Sequence, residues 1–216
     1  EFLQVPSTLR YYHDKHYRDA LHREANAVTL RYIGKTFFDE DTWQHSPKRI
    51  ENLFGCEFAY HEGSTPWLVP VTDDPAEFAR VLDRAEAIDL AGWAFPEPFL
   101  AEWEGRRAAG KALPLLGDGS RGPATIITSV LHPETAILWM YDYPDLMGRF
   151  RDLLAAKMVA FNRLLRAFSG YTQPGWWLTD DNCALFNPAL YREFCYPVLE
   201  QVLTALAPGD ARRYQH

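Results

Sequence analysis

Two adjacent carboxylates, Asp180 and Asp181, directly follow an apolar run at residues 175–178. Neighbouring residues of a strand point to opposite faces, so one carboxylate of this pair is expected to point inward. If the run is a parallel strand, its carboxyl end is where binding groups collect. There a carboxylate could accept a proton, hold a cationic or amide group of a substrate, or orient a metal ligand. The alternative is that one aspartate, or Asn182, only caps or turns the loop.

His216 is the second candidate group, at the end of an apparent strand over residues 212–216. A histidine in that place can be a metal ligand, a proton donor or a substrate contact. A buried, hydrogen-bonded histidine is an equal alternative. His13 and His16 could share a helical face and bind zinc, but no cysteine or acidic partner follows at a recognised spacing.

The elements around these groups predict a strand, a helix and a second strand. The first strand is predicted at residues 124–130, a β-branched apolar run, and the second at residues 175–178. Between them, residues 144–168 carry the apolar stripe of a long helix. This order is typical of a parallel sheet covered on both faces. The sequence therefore predicts an α/β fold, a TIM-type barrel or a piece of one.

Two further predictions concern the neighbourhood of this unit. Gly119 and Gly122 precede the predicted first strand, whereas a phosphate loop needs strand, Gly-rich turn and then helix. A phosphate loop is therefore not expected. Pro197 lies inside the helix that starts after Asn187, so a kink or break is expected near Tyr196.

Composition bounds the class of protein. The 216 residues, with 47% hydrophobic and 24% charged residues, predict a single globular domain over residues 1–216, with a mainly helical portion at 1–65. A net charge of -7 argues against a general nucleic-acid binder. Three cysteines at unrelated spacings, with no membrane span and no secretory signal, predict a reduced, cytoplasmic location. Both ends look cut from something longer.

The central part of the chain resembles the uroporphyrinogen decarboxylase superfamily, which includes porphyrinogen decarboxylases and cobalamin-linked methyltransferases. The matching pieces are residues 122–125, 144–168, 177–181 and 187–197. The last piece is similar to a superfamily helix with an unusual internal proline. The resemblance extends over residues 119–216 and implies a TIM-type barrel, here without its C-terminal strands.

The departures from the decarboxylases are equally informative. Their Arg-Gln-Ala-Gly-Arg-Tyr and Ser-Asp-Ile-Leu segments are absent. Ser129 stands where they carry an active-site tyrosine, and Asp181 stands where they carry a serine. An acidic Asp181 would repel a polycarboxylate substrate. The resemblance therefore favours the methyltransferase-type branch, in which a histidine at the end of the next strand begins a His-x-Cys zinc motif, with His216 in register.

The favoured interpretation is an enzyme that transfers a methyl group from a corrinoid-linked or small methylated substrate, with zinc as a Lewis acid. The candidate site residues are Asp181 and Asp180 for positioning or catalysis, His216 as metal ligand, and Ser129, Tyr141 and Trp177 as pocket lining. A porphyrinogen-type decarboxylase (a lyase) and a non-catalytic binding subunit with a degenerate barrel site remain alternatives. A corrinoid protein and a second copy of the chain are the partners left open, whereas nucleic acid and membrane are not expected.

Overall fold

The computed structural model describes residues 5–216 as helices packed around a small parallel sheet, with a separate two-stranded hairpin. The helices are α1 Thr8–His13, α2 Lys15–Ile33, α3 Ile50–Leu53, α4 Pro75–Ala87, α5 Leu90–Trp93, α6 Glu97–Ala108, α7 Pro123–Val130, α8 Pro133–Asp142, α9 Pro144–Ser169, α10 Pro188–Leu190 and α11 Tyr196–Leu206. The strands are β1 Glu57–Ala59, β2 Trp67–Val69, β3 Gly119–Arg121, β4 Gly175–Thr179 and β5 Arg212–Gln215. A 3₁₀ turn covers Asp181–Leu185, and a π-helical turn covers Tyr191–Cys195. Within residues 5–216, no helix combines the length and apolarity needed to cross a bilayer.

The central sheet has the order β3-β4-β5, and both pairings are parallel. Trp177 lies level with Gly119 on one side and with Tyr214 on the other. Helices α7, α8 and α9 connect β3 to β4, so the predicted parallel strand–helix–strand unit is confirmed.

The position of the first strand was predicted wrongly. Residues 124–130 are part of helix α7, and the strand is the short β3 before it. Pro123 stands at the first helical position, where its missing N–H costs nothing. Nearly every residue of α7 is buried, so its apolar residues show no one-sided stripe and mimic a buried strand.

Helix α9 supports the sheet and was predicted almost to its ends. It begins at Pro144 and ends before Gly170, whose φ of 72° provides the left-handed cap. Its buried Phe150 packs edge-on against Phe54 and Phe78 at centroid distances of 5.0 and 5.1 Å. Helix α11 packs along α9, after the π-helical turn that precedes Pro197. The predicted irregularity near Tyr196 is therefore confirmed.

The parallel sheet is covered on one face only. Along β4, Trp176 and Leu178 are each 2% exposed, whereas Trp177 is 42% exposed. Tyr214 of β5, level with Trp177, is 51% exposed. Purely parallel sheets are normally covered on both faces. Among residues 5–216 the strands form no closed barrel. The structure shows a mixed helix and sheet fold, whereas the sequence predicted a TIM-type barrel without its C-terminal strands.

A charge cluster attaches helix α2 to helix α6. The carboxylate of Asp41 accepts from Lys15 at 2.9 Å, from Arg106 at 3.2 Å and from Lys111 at 2.5 Å. Hydrogen bonds from Lys111 and Lys15 lower the pKa of Asp41 well below its usual value. This cluster fixes the helical N-terminal portion through side-chain contacts.

Candidate active site

Asp180 is a buried carboxylate that holds the start of helix α7. Its Oδ1 accepts the backbone N–H of Thr125 at 2.9 Å, and its Oδ2 accepts the hydroxyl of Tyr191 at 3.4 Å. Asp180 has no exposed surface. Because burial disfavours the charged form, the pKa of Asp180 is raised. Asp180 can therefore hold neighbouring residues in place, but it cannot contact a ligand on the open face of the sheet.

Gly122 makes this arrangement possible. A Cβ at Gly122 would lie 2.3 Å from Cγ of Asp180, far inside contact distance. The order of strand β3, Gly122 and helix α7 is the order of an anion-binding loop, contrary to the sequence-based expectation. The anion at this helix N-terminus is the protein's own Asp180. No phosphate loop is needed to explain the glycine.

Asp181 and His216 form a hydrogen-bonded pair at the carboxyl ends of β4 and β5. Nδ1 of His216 lies 2.8 Å from Oδ1 of Asp181, and the two side chains are 63% and 66% exposed. The backbone N–H of His216 donates to Leu178 at 2.9 Å, which holds the histidine against the strand end. Because a carboxylate accepts, Nδ1–H is the donor of this bond, and within residues 5–216 no hydrogen bond engages Nε2. This arrangement suits proton transfer at Nε2.

Trp177 provides a flat surface on the open face of the sheet. Its indole covers Gly119, where an added Cβ would lie 2.3 Å from Cε2 of Trp177. Thr179 follows two residues later on the same strand, level with Arg121. The structure thus places the predicted pocket residue Trp177 on the exposed face of β4, two residues before the end of that strand at Thr179.

Ser129 and Tyr141, the other predicted lining residues, lie on helices. The Ser129 hydroxyl donates to the Thr125 carbonyl at 2.6 Å, within α7. Tyr141 is 62% exposed near the end of α8, and its oxygen accepts from Asn187 Nδ2 at 3.0 Å. In the described part of the chain, no hydrogen bond joins either residue to Asp181 or His216.

A complete zinc site is not formed by the described residues. Among residues 5–216, no group of three or more His, Cys, Asp or Glu side chains could hold a metal ion. His216 does have the carboxylate partner that metal-bound histidines often have. A structural or catalytic zinc, however, needs three or four protein ligands. Residues 5–216 therefore do not complete a zinc site, and no chemical step is assigned to zinc.

Sequence analysis missed a second charged pair beside the site. Nη1 of Arg121, the last residue of β3, lies 3.3 Å from Oε1 of Glu51 in helix α3. Glu51 is only 2% exposed. Arg121 would have been a candidate if β3 had been placed correctly, because it then stands at a strand's carboxyl end. No sequence signal marked Glu51.

These features define a parallel α/β protein whose polar groups gather at the carboxyl ends of its strands, the usual place for a site in such folds. The profile of one family, Uroporphyrinogen decarboxylase (URO-D), matches residues 49–212, about three quarters of the 216 residues. The chain therefore belongs to the uroporphyrinogen decarboxylase family, as its sequence motifs indicated. No curated protein matched the chain at a significant level.

Proposed function

We propose that this protein is an enzyme of the uroporphyrinogen decarboxylase family that removes a methyl group from a small methylated substrate. The observation that carries the proposal is the 2.8 Å hydrogen bond between Asp181 and His216 at the strand ends. An exposed imidazole oriented by a carboxylate is a proton donor or acceptor suited to neutral pH. The heteroatom that loses a methyl group needs such a donor.

The proton transfer follows from this geometry. Asp181 holds the imidazolium through Nδ1–H, and Nε2–H donates its proton to the substrate heteroatom. As the carbon–heteroatom bond breaks, the heteroatom keeps the electron pair and takes that proton. The methyl group would pass to a nucleophile, which a corrinoid or a thiol would supply when bound. His216 then regains a proton from solvent. Asp180 fixes the position of the chain just before Asp181, because its buried carboxylate is hydrogen-bonded to the start of α7.

Charge at the site favours methyl transfer over porphyrinogen decarboxylation. Asp181 is an exposed acid next to the candidate proton donor, and it would repel a substrate with many carboxylates. Decarboxylation also needs a proton donor, so the experiment must test both reactions.

The test measures methyl transfer with cob(I)alamin as acceptor and a panel of methylamines, methyl thioethers and methoxyarenes as donors. Methylation of the cobalamin is followed by its visible absorbance. We expect turnover with at least one donor, and a loss of about 100-fold or more in His216→Ala, in line with general acid catalysis. Asp181→Asn should lower turnover less, because it leaves the imidazole in place. His45→Ala, which removes another exposed imidazole, is the matched control and should keep full activity.

Two results would overturn this proposal. Carbon dioxide release from a porphyrinogen, with no methyl transfer, would establish a decarboxylase. Inactivity in both assays, with a folded protein, would favour a binding subunit. Zinc analysis of the purified protein is an independent measurement, because the chemistry proposed here requires only the imidazole and the carboxylate.

A further inference from the structure

A cavity of 380 Å³ opens between residues 46–51 and strands β3 and β4. Its walls include Arg121, Glu51, Trp177 and Thr179. Small-molecule sites usually have volumes of roughly 300–1,000 Å³. A larger groove of 730 Å³ lies near the start of α9, but it touches no strand of the sheet. A third pocket, of 420 Å³, also touches Trp177 but lies at the start of β4 and β5. The 380 Å³ cavity is therefore the one that reaches the carboxyl ends of β3 and β4 on the open face of the sheet.

The guanidinium of Arg121 has a fixed orientation in this cavity, but most of its N–H donors have no hydrogen-bond acceptor within residues 5–216. Its ion pair with the buried Glu51, at 3.3 Å, is the only hydrogen bond of its side chain within residues 5–216. A guanidinium has five N–H donors in a fixed plane. Glu51 therefore fixes the plane and leaves further donors for a ligand. At 35% exposure, the Arg121 side chain is also within reach of solvent.

The charge of the cavity lining favours an anion. Three cations, Lys48, Arg49 and Arg121, line it against two carboxylates, Glu51 and Asp118. This surplus of positive charge stands out in a chain of net charge -7.

Arg121 is the cation best placed to meet a ligand. The Lys48 ammonium lies over Trp93 at 5.0 Å and the Arg49 guanidinium over Phe58 at 4.8 Å, so both are engaged with aromatic rings. Arg121 is instead fixed by the buried Glu51, beside the sheet.

The strand next to Arg121 carries a surface that suits a flat ring. Trp177 exposes 42% of its surface on this face and lines the same cavity. Arg121 lies level with Thr179, and His216 directly follows Gln215, which is paired with Leu178. Arg121, Thr179 and His216 therefore stand in a row across the three strands. Two strand spacings make about 10 Å. A planar molecule held at Arg121 can therefore extend toward His216.

We propose that Arg121 binds the carboxylate of an aromatic monocarboxylate whose ring stacks on Trp177, and that it determines the substrate class of the site. The inference rests on the proposed function for the reacting end of the molecule, but not for the binding itself. A single carboxylate at Arg121 is paired, so its charge is neutralised by the guanidinium. It therefore escapes the repulsion expected for a polycarboxylate.

The experiment uses 4-fluorobenzoate and its neutral analogue 4-fluorobenzamide as probes, with binding measured by ¹⁹F NMR line broadening. We expect the wild-type protein to bind the carboxylate at least about tenfold more tightly than the amide, as a charge-assisted pair predicts. Arg121→Gln should remove this preference and leave amide binding unchanged. Arg121→Lys should keep part of it, because a lysine retains the charge without the planar fork. Trp177→Ala should weaken both probes equally.

Two controls keep the result interpretable. Arg149→Gln changes an arginine that pairs with Asp83 and Glu86 elsewhere, and it should have no effect. The double variant Arg121→Gln with Glu51→Gln avoids an unpaired buried carboxylate and should also lose the preference. Equal binding of both probes by the wild-type protein, or a preference that survives Arg121→Gln, would refute the inference. Because this assay measures binding, it can fail or succeed independently of methyl transfer.

Discussion

The buried carboxylate of Asp180 can be changed in two ways that separate its hydrogen bond from its charge. Asp180→Asn keeps a side-chain oxygen for the backbone N–H of Thr125, now 2.9 Å away, but carries no charge. Asp180→Ala leaves that N–H without its acceptor in a fully buried position. The comparison asks whether the residue is kept for its shape or for its ionisation.

The contact at Thr125 allows the loss of stability in Asp180→Ala and in Asp180→Asn to be estimated. Loss of a helix cap costs about 1 kcal/mol, and an unsatisfied buried donor costs about 1–3 kcal/mol. Because both describe the same hydrogen bond at Thr125, Asp180→Ala should lower the free energy of unfolding by about 2 kcal/mol. Asp180→Asn should stay within about 1 kcal/mol of the wild type, because it preserves the acceptor.

The pH dependence has a definite sign. Burial raises the pKa of Asp180 above its usual 3.8, so the folded state holds this proton more tightly than the unfolded chain does. Its contribution to stability is greatest below pH 3.8 and is lost as the pH rises through the raised folded value. Asp180→Asn has no such loss, so its stability relative to the wild type should increase with pH.

Urea unfolding followed by circular dichroism, at several pH values from the usual carboxyl value of 3.8 upward, measures these quantities. The difference between wild type and Asp180→Asn isolates this one group from all other titrations. The reasoning fails if Asp180→Asn destabilises as much as Asp180→Ala. It also fails if the difference from wild type does not change with pH.

Three further predictions follow from contacts described above. Gly122→Ala should lose about 1–3 kcal/mol in urea unfolding, because its Cβ would overlap the buried carboxylate, whereas Gly148→Ala, with its nearest neighbour at 3.9 Å, should lose nothing. Asp41→Asn should cost about 1 kcal/mol at pH 7, a modest value because the side chain is 43% exposed. Because its partners lower the pKa of Asp41, this cost should shrink below pH 3.8, and an unchanged cost at pH 3 would contradict the assignment. Of the three cysteines, only the half-buried Cys183 should react quickly with a thiol reagent at pH 8, because burial raises the pKa of the other two thiols; a second fast thiol would contradict this.

Helices could be predicted from the sequence where their apolar residues lie on one side. The prediction failed where a helix is buried on all sides. Helix α9 exposes one side to solvent, so its stripe and its caps, Pro144 and Gly170, were visible in the sequence. Helix α7 is buried almost all round, and its β-branched residues at 126 and 127 favoured a strand. What makes it a helix is long-range: the Asp180 carboxylate caps it from another strand. No local pattern reports that contact.

The candidate site shows the same division. The adjacency of Asp180 and Asp181 predicted opposite orientations, because alternation is a local property of a strand. The pairing of His216 with Asp181 depends on the register of β4 and β5. The family resemblance suggested only that His216 ends the strand that follows the aspartates. The contact between Arg121 and Glu51 joins residues 70 positions apart, and it could not be inferred without coordinates.

The π-helical turn at Tyr191–Cys195 contains one more residue per turn than an α-helix and lies between helices α10 and α11. Each residue of a helix advances the direction of its side chain by about 100°. Deleting one residue within this turn would give an uninterrupted α-helix with standard hydrogen bonds. It would also rotate Tyr191, whose hydroxyl reaches Asp180, by that angle relative to the face of α11 that packs on α9. The extra residue thus sets the angular offset between two surfaces, and changes of chain length here should be far less tolerated than changes of side chain.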